Sequence, residues 1–388
     1  MTANLTPKHL AELEHAKAIA APDFINPKIR TMDVVDTDFH FSPTWDSVRK
    51  HLKEPFKRLL HRFPKGSQEY SPEAAFEKER KGAKDRPVPE TAADVLDIMD
   101  KFGTDTVILN PGYDRPQTLF NEPSITAISA AHNDYLINEV FPVSDRIKAN
   151  IMICQRDPQR GADEIRRVAH HRQFVGVYTS FGALFESIGT AKHDPILDAM
   201  QEHDLVLSSH TEGFFNHFTP LWTGSRTWVE LFGNAPAGAC MAHLAAMVMQ
   251  GMFDKYPQQK VLFQEGGYWW LPDLMLRLDD FYLAAPGDIA LVERKLEAGE
   301  RHLHKMPSEY ILENVRFSTQ PISIPKNRKH FGWLLEMCHA DELFCFSSDW
   351  PHSTMEPANW VVENPDCIPE AMQRKLLSGN ARSLFTRL

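Results

Sequence analysis

Residues 32–41 read Met-Asp-Val-Val-Asp-Thr-Asp-Phe-His-Phe, and this stretch decides the fold. Its β-branched, apolar start predicts a strand, and the strand ends with an aspartate and a histidine two positions apart. Because side chains alternate between the two faces of a strand, Asp38 and His40 point the same way. Either they form half of a divalent metal site, whose other ligands lie at the ends of later strands, or the acidic residues simply mark a turn.

The composition indicates a large soluble protein that acts on small molecules. The chain has 388 residues, of which 43% are hydrophobic, and a formal net charge of -10. That charge argues against binding to nucleic acid or to an anionic membrane, both of which require clustered Lys and Arg. Five widely spaced cysteines without a CxxC pair fit neither a disulfide framework nor a zinc knuckle. Without a secretory signal or an apolar run of about 18 residues, we expect a cytoplasmic location.

The chain divides into a short extension and one large domain. Residues 1–30 are polar and helix-like, and we interpret them as an N-terminal helical extension. Residues 31–388 form a single domain in this interpretation. Within it, residues 42–95 are rich in Lys, Arg, Glu and Pro, and they are longer than an ordinary connection between a strand and a helix. This insertion is either a lid over the site or a surface excursion without function.

From Thr91 onward, short apolar strands alternate with helix-like segments. After the first strand, the predicted strands cover residues 106–109, 149–154, 175–178, 205–209, 260–264, 315–318 and 343–347. Eight strands alternating with helices indicate an α/β protein with a parallel (β/α)8 TIM barrel. An open doubly wound sheet is the alternative, but no glycine-rich phosphate loop begins any of the helices.

Polar side chains follow nearly every predicted strand. They are Asp38, His40, Asn110, Gln155, Ser180, His210, Glu265, Gln320 and Asp349. The carboxyl ends of barrel strands form the active site, so we expect these side chains to surround a common pocket. Two histidines and two aspartates without a thiolate are nitrogen and oxygen donors that suit Zn²⁺, Mn²⁺ or Fe²⁺ and leave positions open for water or substrate. A metal held in this way lowers the pKa of its bound water to about 7.

Each candidate residue has more than one role open to it. Asp349 is either the last-strand ligand or the base that takes a proton from a metal-bound water, and these roles can coincide. Glu265 is either a base or a carboxylate stabilised at a helix N-terminus. His210 is a ligand or a hydrogen-bonded histidine at a strand end, and His243 lies in a helix-like run as an ordinary buried histidine or a site residue. His352 either orients a neighbour or donates a hydrogen bond to substrate.

Several motifs in the same order resemble the amidohydrolase-2 branch of the amidohydrolase superfamily, which includes aminocarboxymuconate-semialdehyde decarboxylase and related aromatic-acid decarboxylases. The resemblance covers nearly the whole chain after about residue 30. The matching stretches are residues 36–40, 209–210, 251–257, 265–272, 277–279, 307–310, 347–352 and 379–381.

The resemblance implies one catalytic divalent metal, ligated by Asp38, His40, His210 and Asp349, and a protein that forms dimers or larger homo-oligomers. We take zinc as the expected ion, with manganese and iron as alternatives. The chain departs from the family pattern at two positions. Characterised members usually carry His or Glu where this chain has Asp38, and the decarboxylases carry a catalytic His where this chain has Glu265.

Because Glu265 replaces that histidine, our main expectation is a metal-dependent hydrolase. In this hypothesis a metal-activated water attacks a small carboxylated or cyclic substrate, and the residues that act on the substrate or its protons are Asp349, Glu265, His243 and His352. The alternative is a non-oxidative decarboxylase, a carboxy-lyase, of an aromatic or unsaturated acid. A third hypothesis is a barrel that binds metal without catalysis.

Overall fold

Eight parallel strands form the centre of the molecule, in the order in which they occur along the chain. The computed structural model describes residues 25–60, 88–112, 120–180, 187–211, 227, 229–230, 233–291, 303–352 and 354–388. The strands are β1 (Val35–Phe41), β2 (Thr106–Pro111), β3 (Ile147–Met152), β4 (Phe174–Ser180), β5 (Val206–His210), β6 (Val261–Phe263), β7 (Val315–Ser318) and β8 (Phe344–Cys345).

The sheet closes on itself through the chain that follows β8. The backbone N–H of Thr37 donates to the carbonyl of Phe346 at 3.0 Å, and that of His40 donates to the carbonyl of Trp350 at 2.8 Å. These bonds link the segment after β8 to β1, so the eight strands make a barrel. The predicted (β/α)8 architecture is confirmed.

Helices follow the strands and cover the outside of the barrel. In chain order, they are α1 (Trp45–Arg49), α2 (Phe56–Leu59), α3 (Ala92–Phe102), α4 (Glu122–Tyr135), α5 (Pro158–Val168), α6 (Asp194–Gln201), α7 (Ala235–Met249), α8 (Met252–Lys255), α9 (Leu271–Ala284), α10 (Pro307–Asn314), α11 (Arg328–Met337), α12 (Ala340–Leu343), α13 (Asn359–Val362), α14 (Glu370–Arg374) and α15 (Asn380–Leu384). No helix in the described part of the chain is long and apolar enough to span a bilayer.

The sequence marks the ends of α3 clearly. The Thr91 hydroxyl accepts from the backbone N–H of Asp94, and the Asp94 carboxylate accepts from the N–H of Thr91 at 2.8 Å. This reciprocal capping box satisfies two N–H groups that the helix itself leaves unpaired. Gly103 ends the helix with a φ of 68°, a left-handed conformation that glycine adopts without steric cost. After Gly103 the chain leads into β2, which begins at Thr106.

The last residues of the chain seal one end of the barrel. Ala381, Leu384 and Phe385 pack against a small apolar cluster from inside the barrel, which contains Val35, Ile108, Val175, Val206, Leu262 and Cys345. Arg387 is buried, and its Nη1 donates to the carbonyls of Ala169 at 2.9 Å and Phe174 at 2.8 Å. The C-terminus thus forms the floor of the barrel, opposite the carboxyl ends of the strands.

Some sequence-based predictions fall partly outside the described residues. Residues 1–24 and 61–87 lie outside them, so the N-terminal helical extension (1–30) stays a prediction, and so does the insertion 42–95 as a lid or a surface excursion. The described start of the insertion contains α1 and α2. All five cysteines lie among the described residues and carry free thiols.

Candidate metal centre

Six side chains from different strand ends meet at the carboxyl face of the barrel. Asp38 and His40 lie on β1, His210 is the last residue of β5, and the remaining three follow β6 and β8. Those three are Glu265, Asp349 and His352. Residues far apart in the sequence are brought together because all parallel strands of a barrel end at the same face.

Four of the side chains form a compact group of possible ligands: Asp38, His40, His210 and Glu265. One nitrogen or oxygen of each lies within 4.8 Å of the others. His210 Nε2 is 3.6 Å from Asp38 Oδ2 and 3.2 Å from Glu265 Oε1. Asp38, His40 and His210 are buried. Spacing of this kind leaves room for one cation between the four side chains.

A second group overlaps the first, and it consists of His40, Glu265, Asp349 and His352. Asp349 Oδ1 lies 3.3 Å from His40 Nε2 and 2.5 Å from His352 Nδ1. Because the two groups share His40 and Glu265, they form one continuous site. The predicted ligand set contained Asp349 and left out Glu265, whereas the geometry places both carboxylates beside His40.

The backbone is strained at two of the carboxylates. Glu265 has a φ of 55° and Asp349 a φ of 59°, both in the left-handed region that residues other than glycine rarely adopt. Such conformations cost about 1–3 kcal/mol each and occur where the surrounding structure requires a particular side-chain position. The fold therefore holds these two carboxylates in place at some cost in stability.

Each carboxylate has one oxygen fixed by a hydrogen-bond donor. Asn110 Nδ2 donates to Asp38 Oδ1 at 2.6 Å, Thr211 Oγ1 donates to Glu265 Oε2 at 2.9 Å, and Thr354 Oγ1 donates to Asp349 Oδ2 at 3.0 Å. The other oxygen of Glu265 and of Asp349 lies near His40, whereas Asp38 places Oδ2 3.6 Å from His210 Nε2 and Oδ1 3.5 Å from His40 Nε2. Hydrogen bonds that orient ligands in this way are typical of metal sites in proteins.

The carboxylates at the site favour the presence of positive charge between them. Burial opposes a protonated ring, yet the carboxylates of Asp349, Glu265 and Asp38 raise the pKa of His40 well above its ordinary value. For His352, burial again lowers the pKa, but Asp349 and Glu265 together outweigh it and raise the pKa to about 10. Burial raises the pKa of Asp38 to about 6, although His210 and His40 act in the opposite direction. Three carboxylates in one buried pocket thus attract protons or a cation.

The donor atoms fit a divalent ion. Among the described residues, Asp38 Oδ2, His40 Nε2 and Glu265 Oε1 are buried and have no hydrogen-bond partner. Buried polar atoms are nearly always hydrogen-bonded, so three such atoms facing one another indicate a common ligand. Carboxylate oxygens and imidazole nitrogens are borderline to hard donors, which suit zinc, manganese or ferrous iron.

One predicted site residue lies outside both groups. His243 is on α7, and its backbone carbonyl accepts a hydrogen bond from Ser187 Oγ at 3.3 Å. Gln155 and Gln320, both predicted at strand ends, bind backbone groups: Gln155 Oε1 accepts from Ser180 N, and Gln320 Nε2 donates to the carbonyl of Thr354. These residues support the loops around the site.

The sequence analysis missed other residues that touch the carboxylates or their partners. They are Asn150, Ser208, Thr211 and Thr354. Asn150 and Ser208 lie in strands that also contain Lys148, Ser209 and His210, so polarity alone does not single them out. Thr211 directly follows His210, and only the distances identify its role.

Most of the chain matches a family of known proteins. The sequence model of the amidohydrolase family matches residues 35–387. Among curated proteins, the chain is 24% identical over 321 residues to a gamma-resorcylate decarboxylase from Polaromonas sp. (strain JS666 / ATCC BAA-500), a match that covers 78% of this chain and 91% of the relative. That relative is a carboxy-lyase, one of the two enzyme classes expected from the sequence.

Solved structures share the fold. The 5-carboxyvanillate decarboxylase of Sphingomonas paucimobilis has a TM-score of 0.66 at 19% identity, and the match covers 92% of this chain and 99% of that one. A dihydroxybenzoic acid decarboxylase from Polaromonas sp. JS666, solved with manganese and the inhibitor 2-nitroresorcinol, has a TM-score of 0.62 at 18% identity over 92% of this chain and 97% of the other. At these identities the likeness establishes the barrel alone.

Proposed function

The chain belongs to the amidohydrolase family, and from that premise we propose that it is a metal-dependent, non-oxidative decarboxylase of a hydroxylated aromatic acid. The observation that carries the proposal is the meeting of four nitrogen and oxygen donors within 4.8 Å at the barrel mouth. The decarboxylase names of the curated relatives support the choice of reaction. The hydrolase that we expected from the sequence has less support than its alternative.

The metal would be held by Asp38, His40, His210 and Glu265, with Asp349 beside His40 as a further ligand or as the residue that orients His352. A divalent ion held by these residues would supply Lewis-acid chemistry toward the carboxylate of a substrate. We propose manganese ahead of zinc, because the dihydroxybenzoic acid decarboxylase was solved with manganese and this donor set suits both ions.

His352 is suited to deliver the proton that replaces the carboxylate. Its side chain is 36% exposed, against 4% for His40 and 1% for Asp349, so it is the imidazole that faces the barrel mouth. Asp349 Oδ1, 2.5 Å from its Nδ1, holds the ring in position. In the proposed step, His352 protonates the ring carbon that bears the carboxylate, the C–C bond breaks, its electron pair returns to the ring and CO₂ leaves.

Hydrolysis is the second candidate, and Glu265 is the observation that favours it. Its Oε1 lies among the donor atoms, 3.2 Å from His210 Nε2, and Thr211 fixes its other oxygen. A carboxylate in that position can accept a proton from an attacking water. In a decarboxylase the same carboxylate serves as a ligand instead.

Product analysis separates the two reactions. The purified protein is loaded with Mn²⁺ and incubated with hydroxylated benzoates, among them 2,6-dihydroxybenzoate and 5-carboxyvanillate, and in parallel with small amides and lactones. The proposal predicts CO₂ release and the decarboxylated phenol, with no turnover of the amides and lactones. In deuterium oxide, deuterium should enter the ring at the carbon that lost the carboxylate.

Two controls make the result decisive. Metal analysis of the protein as purified should find about one divalent ion per chain, as the proposed single site requires. His352→Gln keeps a polar side chain but removes the proton donor, so it should abolish CO₂ release while the ion stays bound. Hydrolysis of a lactone or amide without CO₂ release would contradict the proposal, and bound metal without any turnover would favour the non-catalytic barrel.

Dependence on a small-molecule substrate, assembly into a homo-oligomer and the cytoplasmic location stay predictions. Size-exclusion chromatography with light scattering checks the second of these directly. A protein that runs as a monomer at micromolar concentration would contradict it.

A further inference from the structure

A row of hydrogen-bonded polar side chains, which we call the amide row, crosses the interior of the barrel and ends at Asp38. Ser208 Oγ donates to Asn150 Oδ1 at 3.1 Å, Asn150 Nδ2 donates to Asn110 Oδ1 at 2.7 Å, and Asn110 Nδ2 donates to Asp38 Oδ1 at 2.6 Å. All four residues are fully buried. Barrel interiors are usually filled by branched apolar side chains, so a row of amides there calls for a specific explanation.

The backbone of β4 leaves space for the amide row. At the same level of β4 the residue is Gly176, and a Cβ added there would lie 2.4 Å from Asn150 Oδ1 and 2.7 Å from the carbonyl of Val206. A real Cβ essentially never lies that close to another heavy atom, so an alanine would push Asn150 away from its neighbours. The interior is therefore shaped around the amide of Asn150.

The negative charge of Asp38 sets the direction of the hydrogen bonds in the amide row. If the Asn110 amide were turned over, its oxygen would face a carboxylate oxygen and its NH₂ would face the NH₂ of Asn150. Both contacts are repulsive, so the donors all point toward Asp38. Ser208 and Asn150 thus fix the orientation of Asn110, and Asn110 fixes one oxygen of Asp38.

We propose that Asn110 is a positioning residue for the metal, and that Asn150 and Ser208 act through it. By occupying Asp38 Oδ1, Asn110 leaves Oδ2 as the oxygen that faces His210 at 3.6 Å. Asp38 Oδ2 is one of the buried atoms without a hydrogen-bond partner among the described residues. Asp38 is therefore held as a ligand with a single donor oxygen, and the amide row sets how tightly the ion is bound. This inference rests on the metal site of the proposed function.

The test is the affinity for Mn²⁺, measured by isothermal titration calorimetry on the metal-free full chain. Residues that orient a metal ligand typically contribute 10–100-fold to affinity, so Asn110→Ala should weaken Mn²⁺ binding by about that factor. Asn150→Ala and Ser208→Ala should weaken it less, in that order, whereas Ser208→Thr keeps the hydroxyl and should restore it. At saturating Mn²⁺, Asn110→Ala should recover most of the turnover, because the Asn110 side chain is fully buried between Asp38 and Asn150.

A matched asparagine at the other end of the barrel serves as the control. Asn314 is buried, and its Nδ2 donates to the carbonyls of Pro257 at 2.9 Å and Gln259 at 3.0 Å. Asn314→Ala should lower the free energy of unfolding and leave the Mn²⁺ affinity unchanged. This variant separates loss of a buried amide in general from loss of the row that ends at Asp38.

Two results would overturn the inference. One is Mn²⁺ affinity of Asn110→Ala equal to that of the parent, and the other is an equal loss in Asn314→Ala. If Asn110→Ala does not fold, Asn150→Ala and Ser208→Ala decide, and unchanged affinity in both contradicts the proposal. Failure of the parent itself to bind Mn²⁺ would instead contradict the proposed function, so the two failures are distinguishable.

Discussion

Replacing Glu265 with glutamine tests whether this carboxylate is a metal ligand. Its Oε1 lies 3.2 Å from His210 Nε2 and 3.6 Å from His40 Nε2, while Thr211 holds Oε2. Glutamine has almost the same shape and can still hydrogen-bond to the threonine. The substitution therefore removes one of the three negative charges around the ion and little else.

The magnitude follows from the position of the charge. Residues that only orient a ligand contribute 10–100-fold to metal affinity, so loss of a charged ligand should cost at least the upper figure. A 100-fold weaker Kd corresponds to about 2.7 kcal/mol. The electrostatic attraction between the carboxylate and the ion is larger than this, since two unit charges about 4 Å apart near a protein surface interact by about 4 kcal/mol. Dehydration of the ion offsets part of that attraction. We expect a 100-fold to 1000-fold increase in the Kd for Mn²⁺.

The assay is calorimetric titration of the metal-free variants with Mn²⁺, and the chain offers a matched control. Burial, assisted by Asp349, raises the pKa of Glu356 to about 8, although a hydrogen bond from the N–H of Ile322 opposes the shift. Glu356 is thus mostly protonated at neutral pH, and Glu356→Gln changes neither charge nor ligands. Mn²⁺ affinity of Glu265→Gln within about threefold of the parent, less than 0.7 kcal/mol, would refute the assignment of Glu265 as a ligand.

Three further predictions use other parts of the chain. Asp349→Asn leaves His352 without its carboxylate partner, so the turnover number should fall at least 100-fold while substrate binding changes little; equal turnover in a steady-state assay would contradict this. Burial lowers the pKa of His132 from 6.5 to about 4. Between these pH values only the unfolded chain gains a proton on this residue. The contribution of His132 to the free energy of unfolding is therefore present above pH 6.5 and is lost as the pH falls toward 4. In urea unfolding, this residue should lower the free energy of unfolding by about 2 kcal/mol between pH 7.5 and pH 5, and the His132→Gln variant should not show this decrease. In Gly266→Ala the new Cβ would lie 2.8 Å from Cys240 Sγ, so we expect about 1–3 kcal/mol of destabilisation by thermal unfolding together with weaker Mn²⁺ binding; an unchanged Tm would contradict the predicted clash.

The barrel could be predicted from the sequence because its signals are local. Each strand is a short apolar run, and each is followed by a helix with its own start and stop residues, such as Thr91 and Gly103 around α3. A polar residue at the end of an apolar strand is also a local signal, and it identified Asp38, His40 and His210. Parallel strands then place these residues at one face without any further information.

The chemistry of the site depends on distances that no local pattern contains. Glu265 stood in the sequence as either a base or a helix-end carboxylate, and only the fold places its Oε1 among the ligand atoms. Nothing in the sequence marks Glu265 for a left-handed backbone, and Asp349 is not marked either, because aspartate adopts this conformation more often than most residues but still rarely. The amide row was missed for the same reason: Asn150 and Ser208 are 58 positions apart, and their contact follows from strand register.

The C-terminal floor of the barrel has a consequence for synthesis. Because Phe385 and Arg387 fill the base of the cylinder, the lower layer of the barrel cannot pack until these residues have left the ribosome. A nascent polypeptide that lacks these residues exposes the lower apolar layer, and exposed apolar surface of this kind favours aggregation. A chain that stops before Ala381 would therefore yield an aggregation-prone product.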